Sequence, residues 1–218
     1  MPGTRSTGLL TLGGIALATL LTVIGHLDVN DDLSPWALTV SDFAVSDRGG
    51  VIDVAMVVLA AATAALLLGL RSIRSAAPGR GHRLTELLLG AWVAGLLLAA
   101  AVPTNEPGTA MTTAAYLHRY ASMVAFLALP VGGWLLARRP ELAPVSRVLR
   151  GLVLASVTLA AAMVWSAYPG DRVLIGLAER LLILTEVTLL CTVAVTLSRR
   201  PTAVDHGVVV PRERDLTA

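Results

Sequence analysis

Lysine is absent from this chain, and all 17 basic residues are arginine. Aromatic residues are scarce at 4%, charged residues make up only 15%, and there is a single cysteine, Cys191. Each shortage excludes something. One cysteine inside an apolar run allows neither an intramolecular disulfide nor a cysteine-based metal cluster, and it reads as a small buried hydrophobe. So little charge, beside 55% hydrophobic residues and a mean hydropathy of +0.73 over 218 residues, excludes an ordinary soluble domain. What is present is leucine, alanine and valine in runs long enough to cross a bilayer. The predicted fold class is therefore all-α: a polytopic membrane protein built as a bundle of six transmembrane helices.

The spans are expected at about 8–27, 51–70, 84–102, 114–137, 151–168 and 173–197, forming one membrane domain over residues 1–200. Arg5 precedes the first run, but that run is long and no small-residue cleavage site follows it, so it is taken as a span and not as a leader. Pro130, Gly132 and Gly133 predict a kink in the fourth span. Residues 201–218 form a polar tail expected to be disordered. Between the first two spans lies a polar connection carrying Asp28, Asp31, Asp32, Asp42 and Asp47 against Arg48. Its middle, Trp36 to Val45, is amphipathic enough to lie on the membrane surface with Trp36 and Phe43 as interfacial anchors.

Orientation follows from the arginines, because positive charge near span ends is retained in the cytoplasm. Arg71, Arg74, Arg80, Arg83, Arg138, Arg139, Arg147, Arg150, Arg199 and Arg200 fall on one side with Arg5. The opposite connections hold only Arg48 and Arg172. Both termini are then cytoplasmic, in a bacterial plasma (inner) membrane. Since the span ends account for the arginines, no nucleic-acid partner is implied.

Ionisable groups that enter a bilayer need a partner, a cavity or water. The stretch Pro103 to Phe126, PTNEPGTAMTTAAYLHRYASMVAF, feeds His118 and Arg119 directly into an apolar helix. Asp53 and Glu179 with Arg180 stand early in the second and sixth spans, and His26 closes the first. In this topology they gather at the extracytoplasmic end, with Trp165, Tyr168, Thr104, Asn105 and Glu106. Glu186 lies seven residues beyond Glu179, on the same helix face and ~10 Å further along the axis. It would sit near mid-membrane and has the weakest ordinary explanation. Plainer readings exist for the others: Asp53 and Glu179 in first turns complement helix dipoles, Glu86 in the first turn of the third span is accounted for by the dipole and the neighbouring arginines, and the other arginines snorkel or pair with acids.

The PTNEPG turn leading through Thr112 to His118, together with LTVSDFAVSDRGGVID from Leu38 to Asp53, resembles an uncharacterised bacterial multi-pass membrane family catalogued as domain of unknown function 998. The resemblance covers the six spans without the tail and implies a six-helix membrane protein of no established activity. Asn105 departs from the acid expected there, which weighs against a metal or proton role for that turn.

Three functions compete. The first is a small membrane enzyme acting by acid/base chemistry on a lipid or isoprenoid-like substrate. Its catalytic candidates are Glu186, Glu179, His118 and Asp53, and its substrate-binding candidates are Arg119, Arg180, Trp165, Tyr168, Glu106 and His26. The second is a proton-coupled transporter or relay, which needs titratable groups continuing inward where the last span offers only Thr188, Thr192 and Thr196. The third is a structural or regulatory partner of other membrane proteins, with Gly13, Gly14, Ala91 and Gly95 permitting close helix contact or an oligomer. No cofactor is expected. No close-spaced ligand pair suggests zinc, and a haem between His26 and His118 is the one alternative, which an absorption spectrum decides. Membrane lipid is the expected surrounding partner.

Overall fold

The structure, a computed structural model, describes residues 4–27, 33–45, 49–73, 80–106 and 108–200. Asp28, Asp31, Asp32, Asp47, Arg48, Arg74 and the tail 201–218 lie outside them. The described residues form α1 (Thr4–His26), the short α2 (Val40–Phe43), α3 (Gly49–Ser72), α4 (Arg80–Ala101), α5 (Thr113–Leu136), a 3₁₀ turn over Pro140–Val145, α6 (Ser146–Ala167) and α7 (Ile175–Ser198), with no strand. Six of the helices are long and apolar enough to span a membrane. The chain is a multi-pass membrane protein.

The long helices pack in chain order as a closed ring: α1 on α3, α3 on α4, then α5, α6 and α7, with α7 returning against α1. Lipid tails are as apolar as leucine, so dispersion and close fit hold such a bundle together more than water exclusion does. The fit is concentrated at the arginine-rich end. Leu66, Leu89, Leu129, Leu149, Leu189 and Leu197 are fully buried there in one cluster. At its rim Arg71 Nε meets Glu86 at 3.0 Å, and Arg200 donates to the Glu141 carbonyl at 2.7 Å.

Several local expectations change. α4 begins at Arg80, so Glu86 stands in the second turn, where its ion pair with Arg71, and not the helix dipole, accounts for it. Asp53 and Glu179 likewise lie one turn inside α3 and α7. α5 passes through Pro130 without ending, and Gly133 beside it is packed against Leu189 and Val153. Phe43 is no lipid anchor: it is 3% exposed and stacks on the His26 ring at 4.6 Å. Trp36 does remain exposed.

Small residues set the helix spacing within the chain. Gly14 faces Ala62 across α1 and α3, and Gly95 faces Ala121 and Ala125 across α4 and α5, whereas Gly13 touches nothing. Gly8 closes α1 onto α7, because a Cβ there would stand 2.7 Å from both the Ala194 carbonyl oxygen and the Ser198 nitrogen. Those are backbone atoms that cannot swing aside. Gly8→Ala should therefore lower stability by ~1–3 kcal/mol through overpacking, while Gly13→Ala should be neutral or slightly stabilising through helix propensity. Thermal unfolding of the two purified variants in detergent checks this; equal midpoints would remove Gly8 from the seam.

Candidate functional site

At the arginine-poor end the loop after α1 is tied to the first turns of α7. TVSD, residues 39–42, forms a capping box: Thr39 Oγ1 accepts from the Asp42 amide at 3.2 Å, and Asp42 Oδ2 accepts from the Thr39 amide at 2.8 Å. That fixes α2, whose Val40 amide donates to the buried Glu179 carboxylate. The Gly176 amide donates to the Trp36 carbonyl at 3.0 Å, and a Cβ at Gly176 would collide with the carbonyls of Pro35 and Leu38. Arg180 completes the clasp. One guanidinium nitrogen donates to the carbonyls of Pro35, Leu38 and Gly176 at 2.7, 2.8 and 3.0 Å, and the other donates to His26 Nε2 at 2.9 Å. Its guanidinium also lies 5.1 Å from the Phe43 ring centre.

The tautomer of His26 follows, since arginine can only donate. Nε2 carries the lone pair, and Nδ1 carries the proton that it gives to the Thr22 carbonyl at 2.7 Å. Both ring nitrogens are thereby engaged. A further tie comes from the loop between α6 and α7, where Arg172 pairs with Asp42 at 3.0 Å. Asp171, Arg172 and Leu174 all have φ between +48° and +61° in that loop, a conformation costly for side chains that carry a Cβ.

Beneath the clasp lies a cavity of about 410 Å³ bounded by α1, α3, α4, α5 and α7. Arg180, Glu179 and His26 form its upper end; most of its wall is apolar. Glu186 lines the deeper part, 2% exposed, with Oε1 lacking any hydrogen-bond partner, and Trp92 lines the same cavity close to the carboxyl. The exposed wall residues are Thr19, Val23 and Leu27 on or just past α1, and Leu184 on α7. The chamber therefore opens sideways between these two helices. Below Glu186, α7 presents Leu189, Leu190, Val193 and Ala194, all fully buried, down to the Gly8 contact.

A second polar group stands apart from this chamber. His118 is 4% exposed on α5, and its Nδ1 lies 2.9 Å from the carbonyls of both Ala99 and Val102. It caps the end of α4, leaving Nε2 without a partner; Asp53 of α3 stands near it. The turn before α5 is organised by Asn105, whose Oδ1 accepts from the Thr112 amide and hydroxyl at 3.1 and 3.0 Å, while Nδ2 donates to Thr109 Oγ1 at 3.0 Å and to the Ala110 carbonyl. A carboxylate could accept but not donate here, which explains the amide. Arg119 and Glu106 are exposed, and Trp165 and Tyr168, at 68% and 78%, stand outside the chamber. The structure thus gathers Glu186, Glu179, Arg180 and His26 and leaves the other candidates elsewhere.

A family model described as protein of unknown function (DUF998) matches residues 12–196. The chain belongs to the DUF998 family. No curated protein and no solved structure matches it. The DUF998 match runs from the first third of α1 almost to the end of α7, so it includes the clasp, the chamber and the Asn105 turn.

Two parts of this site leave a mark in the sequence. A tryptophan at mid-span needs an acceptor for its N–H, which singles out Trp92, and T-x-x-D before an apolar residue is a capping-box signature. Gly176 leaves none. The clasp generates a prediction. Arg180→Ala removes four donated bonds, so amide exchange over residues 33–45 should rise at least tenfold, about 1.4 kcal/mol of local opening; hydrogen exchange read by mass spectrometry measures it, and unchanged protection would mean that Arg180 does not hold the loop.

Proposed function

We propose that this protein is a small membrane enzyme that takes a lipid or isoprenoid-like molecule sideways from the bilayer and acts on it by acid/base chemistry, with Glu186 as the acid. The observation that carries the reading is the Glu186 carboxyl, buried at the inner part of an apolar chamber with one oxygen unpartnered. Ionisable groups at that depth are costly and are kept where they serve a ligand or a pathway. The chamber's volume and mostly apolar wall suit a hydrophobic guest with few polar contacts. Its mouth between α1 and α7 favours entry from lipid over entry from water.

In this reading Trp92 orients the Glu186 carboxyl through its N–H, and the free oxygen faces the guest. Glu179 and Arg180 hold the loop that covers the upper end instead of contacting substrate. The protein would sit in a bacterial plasma membrane with its arginine-rich end in the cytoplasm and the clasp on the other side. Proton-coupled transport is less well supported, since the fully buried leucines and valine below Glu186 offer no continuing path.

Glu186→Gln keeps the shape and removes the acid. Wild-type protein in lipid nanodiscs, incubated with a bacterial lipid extract, should convert one class of apolar lipid detectable by mass spectrometry. The variant should fold and still bind that lipid, with conversion lowered about 10²–10⁴-fold, the usual worth of a general acid. Conversion that persists at the wild-type rate would exclude Glu186 from the mechanism.

A further inference from the structure

We infer that the inner part of the chamber is a cation-stabilising site, so that the molecule accepted there carries or acquires a positive charge next to Glu186. The inference rests on the chamber reading above and narrows it to a class of ligand. Three side chains carry it. Among the described residues Glu186 is the only acidic one lining this inner part, and its Oε1 has no hydrogen-bond partner. Trp92 and Phe126, two of the few aromatic residues in the chain, line the same cavity. Aromatic faces attract cations through the ring quadrupole, most strongly where water is excluded.

Among the described residues no cation competes for the place. Arg180, the arginine that lines the cavity, is held at the upper end by three carbonyls and His26. A buried carboxylate without a counter-charge is costly, and a cationic guest would supply the missing half of the pair. Proton transfer leads to the same arrangement. When the O–H bond of Glu186 breaks, its electron pair stays on the carboxylate, and the proton forms a bond with a lone pair or π pair of the guest. The guest gains one positive charge as the carboxyl gains one negative charge. An acid that becomes the counter-ion of its own product stabilises the charge where it develops.

The test compares two probes of equal shape, a long-chain trimethylammonium and the neutral analogue with carbon in place of nitrogen. Each is titrated into the full-length protein in zwitterionic nanodiscs, with empty nanodiscs as reference. Wild type should bind the ammonium at least tenfold more tightly than its neutral counterpart, and Glu186→Gln should reduce that preference below twofold. Trp92→Leu should lower it several-fold with the carboxyl intact, and serves also if the Gln variant does not fold. Equal affinity for both probes in wild type, or a preference surviving both substitutions, would overturn the inference. Equal binding would still leave the chamber standing as a site for apolar guests, whereas no binding of either probe would remove that reading as well.

Discussion

Arginine 180 can only donate hydrogen bonds, and the arrangement of the arginine-poor end depends on that restriction. Carbonyls at a loop bend need donors, and near a membrane water is a poor substitute. Arg180 supplies them to Pro35, Leu38 and its own Gly176. The remaining reach goes to His26, which forces that ring to accept and so to give its proton back into α1. One side chain thus joins α1, the covering loop and α7, and Glu179, one residue earlier, caps α2. The chamber exists because these ties hold its upper end while the helices diverge beneath it.

The two halves of the bundle are built on different principles. At the arginine-rich end the fit is close, and Gly8 lets α1 meet α7 backbone to backbone. Toward the other end the same two helices part, leaving Thr19, Val23 and Leu184 on the rim of an opening. Polar side chains in the tight half mostly bond within their own helix, as Thr192 and Thr196 do to the carbonyls four residues earlier. A relay would need such groups to face one another. What the half offers is a seal.

The fold was legible because length and apolarity decide a membrane span almost alone. The site was legible in depth but not in partnership. Glu186 stood out because a carboxyl at that level violates the ordinary rule for spans, and the structure puts it on a cavity. Glu179, Arg180 and His118 stood out for the same reason, yet each bonds to backbone: a short helix, a loop and a helix end. Sequence shows a charge entering a membrane but not which backbone group will meet it, 19 residues away for His118 and 139 and 142 away for Glu179 and Arg180. Phe43 went astray similarly, since an aromatic residue on an amphipathic loop anchors to lipid only if no ring waits inside, and His26 does.

Once the clasp and the helix cap have taken their groups, Glu186 is the buried acid whose position no local bond explains. Trp92 of α4 stands near the carboxyl, and one carboxyl oxygen has no partner. An apolar residue of similar size would pack at least as well and would avoid the desolvation cost. Stability alone therefore does not account for the carboxyl, and in the proposed reading a guest completes its bonding. The direction from which such a guest would arrive follows from the walls. The clasp covers the water side, the leucine cluster closes the far side, and α1 and α7 stand apart toward lipid.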